Sequence, residues 1–76
     1  MNATRRKRIQ EAIEQLDELK TIIEELHDEE QEAYDNLPES FQESERGEAM
    51  EAAADNLDSA MSSMEEVLDS LNAAIE

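Results

Sequence analysis

The chain has no cysteine and no tryptophan, and it carries one glycine, one proline, one tyrosine, one phenylalanine and one histidine among 76 residues. Without thiols there is no disulfide staple, and a single imidazole leaves only carboxylates to ligate a metal, so no metal or cofactor is expected. No apolar run reaches the roughly 18 residues that a bilayer-spanning helix needs. The basic N-terminus is followed by acids rather than by the apolar core of a signal peptide. These features predict a soluble, cytoplasmic protein. A single domain this small buries too little surface to be comfortable alone, which leaves self-association as the remaining staple.

Positive charge is also scarce: 6 basic residues stand against 22 acidic ones, a net charge of −16. Arg5, Arg6, Lys7 and Arg8 are consecutive, so residues 9–76 set 22 acids against Lys20 and Arg46 alone, a net of −20. Such a surface repels phosphate backbones within a Debye length of about 8 Å, which disfavours nucleic acid along its sides and favours a partner with a basic surface. High charge with few aromatics is also the composition of disordered chains, but the hydrophobic periodicity argues against that reading.

Ile9, Ala12, Leu16, Leu19, Ile23, Leu26, Glu30, Ala33 and Leu37 alternate spacings of three and four, a heptad seam interrupted once, at Glu30. Ile13, Ile22 and Tyr34 widen that stripe. Thr4 or Asn2 can cap the start, and the spacing predicts a first helix over about 4–36. Met50, Ala54, Leu57, Met61, Met64, Leu68, Leu71 and Ile75 form a second seam, with Ser44 as N-cap and Glu45 and Glu48 in the first turn, predicting a helix over about 44–74. Between them Asn36 ends the first helix, Pro38 disfavours helical geometry at Leu37, and Ser40 with Glu43 has capping-box spacing. Leu37 and Phe41 can plug the open end of the seam. The predicted fold is all-α: one domain over 1–76, an antiparallel two-helix hairpin with a tail over 1–3 and a turn over 37–43.

Beside the second seam runs a column of small apolar residues, Ala53, Ala60, Val67 and Ala74. A hairpin needs only one seam, so this column predicts an oligomer face, most simply an antiparallel dimer that makes a four-helix bundle or a higher helical oligomer.

Three candidate sites follow from the same pattern. Arg5, Arg6, Lys7 and Arg8 fall beside the end of the second helix, where Glu76 and free carbonyls can neutralise them; the alternative is a phosphate-contacting end. At the hairpin tip, Tyr34, Ser40, Gln42, Ser44, Arg46 and Gly47 converge. There Gly47 leaves out a side chain beside a guanidinium at a helix N-terminus, a possible anion pocket; the alternative is that Gly47 lets the helices close tightly while Arg46 pairs with Asp35 or Glu39. Glu24 with His27 matches an E-x-x-H metal pattern, but the register points Glu24, Glu25, Asp28, Glu66 and Asp69 outward, so solvated faces are expected. His27 is expected as an exposed neighbour of Glu30. No serine has a base beside it, so catalysis is not expected.

The block NLPESFQESERGEAMEAAADNL, residues 36 to 57, resembles a segment of small acidic proteins of tailed phages and prophages, in which a charged helix precedes LPES, then SERGE, then an amphipathic helix. The resemblance implies a helical hairpin of viral origin acting inside a bacterial host; it brings no established activity with it. Small phage proteins of this kind often antagonise host defences. Three uses are therefore expected: an acidic mimic that occupies a basic host-protein surface, an oligomeric sponge that sequesters a phosphorylated signalling nucleotide at the tip, or a virion-assembly component.

Overall fold

A computed structural model describes all 76 residues, Met1–Glu76. The chain forms α1 (Ala3–Asp35), a single turn α2 (Glu39–Gln42) and α3 (Glu45–Ala74), with no strand. Of the two candidate caps it is Asn2 that opens α1: its backbone is extended and its side-chain oxygen accepts the Arg5 N–H at 2.8 Å. Asn36 closes that helix. Ser44 opens α3, accepting the Gly47 N–H at 3.4 Å while its hydroxyl donates to the Phe41 carbonyl. Glu45 and Glu48 lie in the first turn, where the helix dipole favours carboxylates.

α1 and α3 run antiparallel in a hairpin measuring 58 × 15 × 13 Å. Lys20 donates to Glu65 at 2.8 Å at mid-length, and Arg6 Nε donates to the Ile75 carbonyl at 3.1 Å at the open end. At the tip the Gln42 amide donates to the Tyr34 carbonyl at 3.1 Å. Neither long helix is apolar enough to cross a membrane.

The α3 seam lies where its periodicity predicts, with Ala54 and Leu68 buried and Met50, Leu57, Met61, Met64, Leu71 and Ile75 half-buried. α1 is rotated from its expected register. Ile9, Leu16, Ile23, Glu30 and Leu37 face α3, but the alternate seam positions are taken by Ile13, Lys20, His27 and Tyr34. Ala12, Leu19, Leu26 and Ala33 face water instead. The apolar stripe of α1 is wider than one neighbouring helix can cover, so it can turn. Turning it by one position brings Lys20 onto Glu65 and Tyr34 beside Glu51, two charge-compatible meetings that the other register would forgo.

The turn differs from expectation in two details. Pro38 is the N-cap of α2 and receives no side-chain hydrogen bond, so the Ser40 and Glu43 capping box does not form. Phe41 is 55% exposed rather than plugging the seam. The backbone of α2 does the closing: a Cβ built on buried Gly47 would lie 2.2 Å from the Gln42 carbonyl oxygen and 2.6 Å from that of Phe41. A turn of helix lies so close to α3 because that position has no side chain.

Candidate functional site

The rotation of α1 gives the hairpin two unlike flanks. Lys20, His27 and Tyr34 recur every seven residues on α1, and Glu65, Asp58 and Glu51 recur every seven on α3 at matching levels. With Asp17, Glu24, Glu48, Asp55 and Asp69 beside them, these columns make one flank polar and strongly acidic. The pairing there has electrostatic consequences. The hydrogen bond from Lys20, reinforced by its charge, holds the Glu65 carboxyl below the usual glutamate range. The same hydrogen bond raises Lys20 above the usual lysine range. Burial, then the nearby Glu51 charge, pushes the Tyr34 phenol up.

On the opposite flank α1 presents Ala12, Leu19, Leu26 and Ala33 with Ile22 beside them and exposed Glu29 one heptad further along the Ile22 column, and α3 presents the Ala53, Ala60, Val67, Ala74 column. Leu19, Ile22, Leu26 and Val67 are each between 46% and 51% exposed, unusual for large aliphatic residues on a chain with so few of them. Next to the α3 column lie Ala49, Asn56, Ser63 and Ser70, all exposed and all uncharged. The small-residue column was legible in the sequence as a face; its companions on α1 were not, because Leu19 and Leu26 read as seam. The signal that identifies them is the match between the columns of Lys20, His27, Tyr34 and of Glu65, Asp58, Glu51.

The remaining candidates are placed as follows. At the tip, Tyr34, Gln42, Ser44 and Gly47 come together, with Gln42 bonded to Tyr34 and Ser44 to Gly47. Ser40 and Arg46 are exposed. The space expected at Gly47 is filled by the α2 carbonyls, and the protein surface has no cavity there or elsewhere. Arg46 makes no ion pair with Asp35 or Glu39; the lysine or arginine that pairs with a carboxylate is Lys20, with Glu65. Arg5, Arg6, Lys7 and Arg8 do lie at the end of α3, but the contact made is Arg6 capping the Ile75 carbonyl rather than a pair with Glu76. His27 differs from its expected exposure: its side chain is 24% exposed at the seam edge, with Nδ1 3.2 Å from Asp28.

Of the 22 carboxylate side chains, 21 are exposed and only Glu30 is half-buried. Set against the 58 Å axis, 22 carboxylates amount to about one per 2.6 Å. No family model, curated protein or solved structure matches the chain.

Proposed function

We propose that this is a non-catalytic binding protein of phage type that self-associates through its helices and occupies a basic, nucleic-acid-binding surface of a protein in the bacterial cytoplasm, so counteracting a host defence. The observation that carries this reading is the linear charge density. Duplex DNA presents one charge per about 1.7 Å of axis, and one hairpin, with a net charge of −16 along 58 Å, carries about one per 3.6 Å, roughly half that density. Two hairpins side by side double that density without lengthening the rod. The carboxylates sit on regular helices, so a basic groove meets fixed charges and does not have to order a flexible acidic tail.

Electrostatic recognition of this kind releases counterions and weakens steeply with salt. The test is capture of bacterial proteins on immobilised full-length chain, followed by elution with a salt gradient and, separately, with duplex DNA. Retained proteins are expected to leave in moderate salt and to be displaced by the DNA. Retention that is indifferent to both sinks the mimicry.

A further inference from the structure

Resting on the self-association just proposed, we infer that the apolar flank is the contact face of a second copy, related by a two-fold axis perpendicular to the helices, so that α1 lies antiparallel on α1 and α3 on α3. The hairpin has surface to spare. Its 5668 Å² of accessible area exceeds the about 4,700 Å² typical of a compact monomer of this mass. The flank from Ala12 to Ala33 is roughly 32 Å long and two helices wide, on the order of 600 Å² per copy, which a pair would turn into an interface of standard size.

The identity of the occupant follows from the symmetry of the residues. On α1 the outward column reads Ala12, Leu19, Leu26, Ala33, the same in both directions, with its midpoint between Ile22 and Ile23. On α3 the column Ala53, Ala60, Val67, Ala74 has its midpoint between Ser63 and Met64. Lys20 opposite Glu65 sets the register of the hairpin, and in that register the two midpoints lie about one residue, or roughly 1.5 Å, apart along the rod. One axis therefore serves both helices. It pairs Leu19 with Leu26 of the second copy, each large residue meeting a large one, while the small column of α3 meets itself at close approach. An unrelated partner has no reason to require the reversal symmetry of the α1 column; a second copy of this chain does.

Charge agrees. This flank is where two chains of −16 can meet without setting carboxylate columns face to face at the centre of contact. Arg5 and Arg8 share columns with Leu19 and Ile22, and the axis carries them to the partner's tip, level with its residues 40 and 37, near the exposed Asp35 and Glu39. Glu29 lies within the contact in the Ile22 column, and Glu11, Glu18, Glu25 and Glu32 border it on the outer side, so repulsion between the two copies opposes association and salt relieves it.

The test is sedimentation equilibrium of the full chain with single-cysteine cross-linking. The expected mass is twice the 8.6 kDa chain, with association tightening as salt rises. Leu26→Glu on α1 and Ala60→Glu on α3 should each weaken self-association by roughly 30-fold or more. Because the native chain has no cysteine, a single introduced thiol can pair only between copies. Ser63→Cys, exposed and next to the axis, is expected to form a dimer disulfide, and Ala12→Cys, far from it, is not. A wild-type chain that stays monomeric at high concentration and high salt overturns the inference, as does linking through Ala12→Cys but not Ser63→Cys. Such a result leaves binding to a basic surface standing, since that binding responds to salt in the opposite direction.

Discussion

The two flanks of the hairpin are built from the same two helices, yet one carries Lys20, His27, Tyr34, Glu51, Asp58 and Glu65, and the other Leu19, Ile22, Leu26, Ala53, Ala60 and Val67. At residues 19–20 and 26–27 the chain places the charged or ionisable side chain toward α3 and the leucine toward water. In an isolated hairpin that choice exposes large aliphatic groups. It becomes reasonable when the apolar stripe of α1 has two neighbours to satisfy. The difference teaches that one hairpin can sort its side chains by flank, with carboxylates gathered on one side and large aliphatic groups left open on the other.

The comparison can be broken first at the seam both flanks share. Leu68→Ala should cost about 2–5 kcal/mol in urea unfolding, because the buried side chain leaves a cavity between the helices. A loss below 1 kcal/mol would mean that the seam is not the spine of the fold. Gly47→Ala comes next, at about 1–3 kcal/mol, since its methyl group meets backbone carbonyls of α2 and not a side chain able to swing aside. Ser44→Ala removes the α3 cap for about 1 kcal/mol, a fall of about 4–8 °C in Tm for a domain of this size. The exchange Leu19→Lys with Lys20→Leu sharpens the comparison most directly. It puts apolar bulk on the seam and charge on the open flank, so the expected result is a helical chain by circular dichroism with lost self-association.

Much of this arrangement was legible in the sequence, for reasons that differ by element. Apart from Val67, the large apolar residues of α3 all lie on its seam, with charge on one border and small residues on the other, so its periodicity admits a single orientation, and Ser44, Glu45 and Glu48 mark its start. The reversal is equally plain, because Asn36 and Pro38 act through local backbone chemistry. α1 was harder. Its stripe extends from Ile22 through Leu19 and Ile23 to Ile13, and periodicity alone cannot say which part of so broad a face meets the neighbour. The contact that marks the outcome is long-range: Lys20 with Glu65 spans 45 residues, beyond any local pattern. At the tip, Gly47 was recognised as a missing side chain, but whether missing bulk becomes a pocket or a close approach depends on where α2 lies, and the α2 carbonyls fill it.

The smallest effect, and the one specific to the acidic flank, is the pH response of Lys20 and Glu65. Glu65 is held below the usual glutamate range in the folded chain, so its contribution is complete above that range and is lost as pH falls through the lowered value. Lys20 is raised, so its contribution is complete below the usual lysine range and is lost as pH rises through the raised value, where ionisation of Tyr34, also raised, begins to oppose folding as well. Between these limits a different term acts: mild acid removes charge from a chain of −16 and relieves its self-repulsion. Thermal melts of the wild type should therefore gain stability from neutral pH toward the carboxylate range. A Glu65→Gln variant should lie slightly below the wild type from neutrality down to that range and converge with it in stronger acid. Curves that stay parallel at every pH would place the stabilisation outside this ion pair and leave the orientation of α1 to apolar packing alone.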